Sequence, residues 1–402
     1  MATHTLASFK PLAVQLVLSA SIPPPSSGKL RPPGAPLESE QLRALLQHLA
    51  DPAFTSEPAH HATIGSVLTA LRLTATDIQP TTLAMAQHEF LARATPLALP
   101  PPGTDAYVDL VGTGGDGKDT FNVSTTASVV AAGVDGMRVC KHGGRASSSS
   151  SGSSDLLTAL GVPLMNVDAA KMSRVLASSP LAFLFAPHFH AAFAPLAPLR
   201  SSLGFPTLFN ILGPLVNPAR PARGVYGVHS SGLGAPYADA LRLGGTKSAW
   251  VVCGQEGLDE ISPAGPTDVW EVSEAGVTHR VVSPSDFGLP THPLEAVRSG
   301  TAQQNAAVVF FLLTQAAQVP AEPLVEPVQT EAGAAAGLEP IPAGTDLRAL
   351  FDYTLLQASA LLHVAGRGEL RACVELARDS LMSGRAQGAL EALRTAMLRV
   401  AA

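Results

Sequence analysis

Short apolar runs at 107–111, 137–141, 182–185, 225–228 and 249–253, bounded by glycine or polar residues, read as buried strands. They alternate with stretches of helical period, which predicts an α/β fold with a mainly parallel sheet flanked by helices. A hairpin is expected next, with strands at 269–272 and 277–282 and Glu274, Ala275 and Gly276 at its turn. Ahead of the first strand, leucines or valines three to four apart predict helices at 38–49, 62–73 and 81–94. Phe9, Leu12, Leu16 and Val17 share that spacing and predict an earlier amphipathic helix, with 22–36, rich in proline and serine, as an inserted loop. Residues 1–37 contain no Asp or Glu, as in an organelle transit peptide, but their low arginine content and helical spacing favour a folded helix. The segment 319–345, rich in Pro, Ala and Glu and without a period, reads as a mobile surface insertion with no catalytic role. Two last helices at 346–365 and 368–383 would pack Leu350, Leu355, Leu361 and Leu362 on the sheet. The expected division is a helical domain at 1–100 and an α/β domain at 101–402.

At 402 residues the chain can bury a substantial core, and no apolar run is long enough to span a bilayer. A net charge of −6 without a basic cluster argues against nucleic acid as the main partner. Cys140, Cys253 and Cys373 are widely spaced and read as buried free thiols, which suits a reducing, cytoplasmic setting. His60 and His61 have no carboxylate or cysteine at metal spacing and read as surface residues.

Chemistry concentrates in three places. The first strand runs into Gly112, Thr113, Gly114, Gly115, Asp116 and Gly117, after which Asn122, Ser124 and Thr125 offer N-cap side chains to a helix whose buried part begins near Ala127. Backbone N–H groups and a helix N-terminus would converge there on a phosphate ester. The order lacks the Gly-Lys-Ser/Thr ending of a nucleoside-triphosphate loop and the GxGxxG of a dinucleotide fold. A second anion cradle follows the next strand: Lys141, His142, Gly143, Gly144 and Arg145, then Ser147 to Ser151 and Ser153. Third, Asp259 and Glu260 follow the strand at 249–253; paired carboxylates at a strand end suit a hard cation such as Mg²⁺.

With these motifs in this order (GTGGD, NVST, KHGGRASSSSSGSSD, the stretch Phe185 to His190, Arg200 to Gly204, FNILGPLVNPA from Phe209, and Gly257 to Ile261), the chain from about Leu42 onward resembles the anthranilate phosphoribosyltransferases. The resemblance implies a nucleoside phosphorylase/phosphoribosyltransferase-like fold, a helical domain completed by helices within about 188–217, and a homodimer joined through it. It implies transfer of phosphoribose from 5-phosphoribosyl 1-pyrophosphate to anthranilate in tryptophan biosynthesis. Gly112, Thr113, Gly114, Gly115, Asp116, Thr120, Asn122, Val123, Ser124 and Thr125 would hold the donor. Lys141, His142, Gly143, Gly144, Arg145, Ser148, Ser149 and Ser153 would close over it. Ser124 and Glu260 would hold one Mg²⁺, and Asp259 with Glu260 a second. Arg200 would meet the anthranilate carboxylate, and His142 with the stretch Phe185 to Phe193 would line the aromatic substrate's path. Gly144 departs from the family, which usually has Asn there.

The chemistry asks for stabilisation of a leaving pyrophosphate, by Lys141, metal and loop amides, and for alignment of an aryl amine already neutral at pH 7. His142 is therefore expected to orient and not to act as a base. Two other readings are a pyrimidine-nucleoside phosphorylase, which would not need the Asp259 and Glu260 pair, and a non-catalytic nucleic-acid-binding relative, which would be basic.

Overall fold

The computed structural model describes residues 4–20, 36–99, 107–145 and 150–401. The sequence-predicted loop at 22–36 therefore lies almost wholly outside the described residues, as do Ser148 and Ser149.

Seven strands form one sheet: β1 (Tyr107–Gly112), β2 (Arg138–Gly143), β3 (Leu181–Phe185), β4 (Arg223–Gly227), β5 (Ser248–Gly254), β6 (Thr267–Ser273) and β7 (Gly276–Val282). Their order is β3-β2-β1-β4-β5-β6-β7. The first five pair in parallel, and β6 and β7 are antiparallel additions at one edge. All five parallel strands match their apolar runs. The hairpin is tighter than expected: Gly276 pairs with Ser273 as the first residue of β7, leaving only Glu274 and Ala275 in the turn.

Side chains alternate between two cores because successive strand residues face opposite sides. Trp250 and Val252 join a core roofed by the helices Val123–Ala132, Leu347–Val364, Leu370–Met382 and Arg385–Ala401. Ala249, Val251 and Cys253 enter the other core, shared with Phe9, Leu46, Val67 and Phe90 from the N-terminal helices and with Leu196, Leu199 and Phe209 from beyond β3. Each fully buried Phe or Leu contributes about 1.5–3 kcal/mol, so both layers are firmly held. Cys140, Cys253 and Cys373 are buried free thiols.

The helix Leu6–Ser19 forms as its spacing predicts and buries Phe9, Ala13 and Leu16. His60 and His61 are half-buried, not surface residues: His60 stacks on Phe54 at 4.3 Å, and the two rings bond the carbonyls of Phe54 and Thr55. The segment 319–345 is folded onto the domain. Val328 pairs with Ile341, Leu324 bonds Thr345 and Gly344, and Leu338 and Ile341 enter the first core. The helix Arg385–Ala401 adds a third C-terminal helix to the two expected.

Candidate active site

The chain proceeds from β1 outward to β2 and β3, then returns to place β4 on the other side of β1. Ligands of open α/β sheets bind in the crevice opened by such a reversal, outside the carboxyl ends of the strands. The glycine loop leaves β1 at this point. Gly114 and Gly115 take φ of 69° and 83°, a region other residues rarely enter, and this turns the Gly114 N–H onto Asp259 Oδ2 at 2.6 Å. The Thr113 N–H donates to the Gly227 carbonyl at 2.9 Å, closing the loop against β4. A Cβ on Gly227 would stand 1.6 Å from the Asp259 carbonyl, so only glycine lets the acidic segment cross the end of β4.

Asp259 and Glu260 are thereby brought against the glycine loop. Burial and the neighbouring charge of Asp116 raise the Asp259 pKa. Burial and Asp259 raise that of Glu260, with Lys141 and a hydrogen bond to Ser124 opposing the rise. Below them Asp109 is fully buried and pushed up to about 6 by that burial, although Asn217 Nδ2 donates to it at 2.7 Å. Three of these carboxylates, Asp109, Glu260 and Asp259, act on one ammonium group.

Lys141 lies in β2, as the run at 137–141 predicts, and the strand continues through His142 and Gly143, all three paired with β3, so the second cradle begins inside the sheet. The Lys141 ammonium is buried and donates to the Leu110 carbonyl at 2.5 Å and Ser124 Oγ at 3.3 Å. Burial lowers its pKa against the opposing pull of Asp109, Glu260 and Asp259. Asn122, expected as a capping side chain, makes no cap bond. Its amide donates to the Ser151 carbonyl at 2.8 Å, and the helix begins at Val123, which puts Ser124 and Thr125 inside its first turn.

The serine segment re-enters the described residues through further bonds. Asp119 accepts from Ser150 N at 2.7 Å and Ser150 Oγ at 2.6 Å, and the Ser154 N–H donates to the Gly144 carbonyl at 3.1 Å. Thr120 pairs with Arg298, Ser153 opens the helix Ser153–Ala159, and Arg145 is exposed.

A chain of ring contacts runs from the strand end to Arg200. His142 meets His190 at 5.1 Å, His190 meets Phe193 at 5.5 Å, Phe193 meets Phe209 at 6.0 Å, and Arg200 lies 5.9 Å from the Phe209 ring. Burial holds His142 down to about 3 and His190 to about 4, so both rings are neutral. Arg200 Nε is buried without a hydrogen-bond partner among the described residues.

Four residues outside the sequence motifs touch these segments: Asp109 acts on Lys141, His229 Nδ1 lies 3.3 Å from Thr113 Oγ1, Asn305 bonds Asn122, and Gln357 bonds Ile261. Asp109 carried a signal, a carboxylate inside an apolar strand; the others are isolated polar residues far from the motifs.

The family model for "Glycosyl transferase family, a/b domain" matches residues 104–339, the span that contains the sheet and the acidic pair. Fold and site together define a phosphoribosyltransferase with the architecture shared by nucleoside phosphorylases. The anthranilate phosphoribosyltransferase of Schizosaccharomyces pombe is 39% identical over 357 residues, 88% of this chain and 90% of its own length. That of Rhizobium meliloti is 37% identical over 89% of this chain and 94% of its own. The Saccharomyces cerevisiae enzyme in complex with PRPP and Mg superposes with a TM-score of 0.81 at 29% identity, covering 98% of this chain and 99% of that one. The chain belongs to the anthranilate phosphoribosyltransferase family.

Proposed function

We propose that this protein transfers the phosphoribosyl group of 5-phosphoribosyl 1-pyrophosphate to the amine of anthranilate, releasing pyrophosphate, as a step of tryptophan biosynthesis. The observation that carries this reading is a site with two unlike ends: an acidic, glycine-lined end at Gly114, Ser124, Asp259 and Glu260, and an aromatic end that finishes at Arg200. The yeast relative was solved with PRPP and Mg, and also with 4-fluoroanthranilate, at 28% identity in the latter case.

The donor set fits Mg²⁺. Ser124 and two carboxylates short of positive charge are hard oxygen ligands, and among the described residues no three His, Cys, Asp or Glu side chains converge as a cage. Mg²⁺ is usually held in this way, by one or two carboxylates together with substrate oxygens and water. Ser124 with Glu260 would hold one ion and Asp259 with Glu260 a second. Bound there, Mg²⁺ would neutralise charge on the pyrophosphate.

The protein's own groups do the rest. Loop amides from Gly112 to Asp116, with Thr120 and Asn122 to Thr125, bind and orient the donor. The Lys141 ammonium opposes the rise that burial imposes on Asp109 and Glu260. Arg200 receives the anthranilate carboxylate as a planar fork, and the neutral imidazole of His142 forms part of the wall. The bond from the anomeric carbon to pyrophosphate breaks with the electron pair leaving on pyrophosphate. The amine lone pair forms the new C–N bond, and the nitrogen then loses a proton to solvent water or to the released pyrophosphate. A Cβ on Gly144 would meet no described residue within 4 Å.

The reading includes a cytoplasmic homodimer joined through a helical domain made of residues 1–100 and helices within 188–217. No helix among the described residues is long and apolar enough to cross a membrane. The deciding experiment follows anthranilate fluorescence in the purified protein. Loss that requires both the phosphoribosyl donor and Mg²⁺ supports the function, and a folded protein that causes none refutes it.

A further inference from the structure

Gln357 is a fully buried amide on the helix Leu347–Val364, among Leu355, Leu356, Leu361 and Leu362. A buried amide is costly unless paired, and here both ends are paired to one residue. Gln357 Nε2 donates to the Ile261 carbonyl at 2.6 Å, and Gln357 Oε1 accepts from the Ile261 N–H at 3.3 Å. The chain at Ile261 has left the sheet, because β5 ends at Gly254 and β6 begins at Thr267. Gln357 therefore takes the place of a neighbouring strand for the residue that directly follows Glu260. On its other flank the acidic pair is held by the Gly114 N–H on Asp259 at 2.6 Å, and just beyond it Ser262 N donates to Thr267 Oγ1 at 2.9 Å. The helix carrying Gln357 is itself anchored, since Asp352 pairs with His292 at 3.0 Å and the His292 N–H donates to the Pro263 carbonyl at 2.8 Å.

We infer that Gln357 is a positioning residue for the Asp259 and Glu260 carboxylates, setting the affinity for the Mg²⁺ complex of phosphoribosyl pyrophosphate through the Ile261 backbone without touching either ligand. This rests on the function proposed above. Partners that orient metal-ligating groups from outside the ligand shell typically cost ten- to a hundredfold in metal affinity when removed.

The test is calorimetric titration of phosphoribosyl pyrophosphate into the full-length protein at fixed Mg²⁺. Gln357→Met keeps the volume and removes both bonds; it is expected to weaken binding at least about tenfold while the KM for anthranilate moves less than about twofold. Gln357→Asn, shorter by one methylene, is expected to give a smaller loss, and it carries the test if the Met variant does not fold. Ser380→Ala removes another buried bond, from Ser380 Oγ to the Val130 carbonyl at 2.7 Å, and should lower the melting temperature without changing donor affinity. Folded Gln357 variants that bind within twofold of the unaltered protein would overturn the inference, as would an equal loss in Ser380→Ala. An unaltered protein that binds no donor in Mg²⁺ would instead overturn the functional reading.

Discussion

Single side chains at the aromatic end carry testable consequences. Arg200 brings a desolvated guanidinium whose Nε has no partner among the described residues, so its pairing with a ligand carboxylate is worth more than an exposed ion pair. Arg200→Ala should raise the KM for anthranilate by roughly a hundredfold, in line with about 1.5–3 kcal/mol for a charged hydrogen bond, and leave that for the phosphoribosyl donor within about threefold. Equal effects on both substrates in steady-state kinetics would place Arg200 elsewhere. The buried imidazoles make a pH prediction. His190 is held near 4, well below an unfolded histidine at about 6.5, so between these values the unfolded chain binds the proton and the folded protein does not. The stability conferred by a neutral His190 is fully present above about pH 6.5 and is lost as pH falls toward 4. One pKa unit is about 1.4 kcal/mol, so the loss at pH 4 is on the order of 3 kcal/mol. His190→Phe should flatten the acid limb of the urea midpoint plotted against pH, and an unchanged limb would show that other groups govern it.

Elements were legible where one physical rule decided them. The five parallel strands are largely buried, so each reads as a short apolar run bounded by glycine or polar residues. The helix Arg385–Ala401 was missed because its buried stripe of Ala386, Ala389, Leu390, Leu393, Ala396 and Met397 is half alanine, which marks an apolar face weakly. Lys141 falls within the run at 137–141, but its burial is not legible there. Its carbonyl and carboxylate surroundings come from Leu110 and Asp109, distant in sequence, and no local pattern reveals them. The same holds for Asn305 on the helix Ala302–Thr314, whose amide donates to Asn122 Oδ1 at 2.8 Å while Asn122 holds Ser151. This relay ties the glycine-loop side of the site to the end of the serine segment. Asn305→Ala leaves Asn122 Oδ1 short of a donor, at about 1–3 kcal/mol. The expected result is a rise of roughly tenfold in the KM for the donor with that for anthranilate nearly constant, and the opposite pattern would disprove the relay.

For the molecule as a whole, the order reversal around β1 matters more than any one motif, because it brings Gly114, Ser124, Lys141, Asp259 and Glu260 together from four separate stretches of chain. The result is a site with too few protein ligands to hold a cation alone and too many carboxylates to welcome an unaccompanied pyrophosphate. Each ligand should therefore improve the binding of the other, and by linkage the two improvements are equal. A ligand present at a hundred times its dissociation constant stabilises the folded state by about 2.7 kcal/mol. Thermal unfolding should thus respond weakly to Mg²⁺ alone and weakly to phosphoribosyl pyrophosphate alone, with a rise in melting temperature for both together that exceeds the sum. Asp259→Asn combined with Glu260→Gln removes the charge that makes Mg²⁺ necessary, so the excess should vanish while the fold persists. A full shift with Mg²⁺ alone would mean that the protein supplies a complete cage, contrary to the incomplete donor set around Ser124, Asp259 and Glu260.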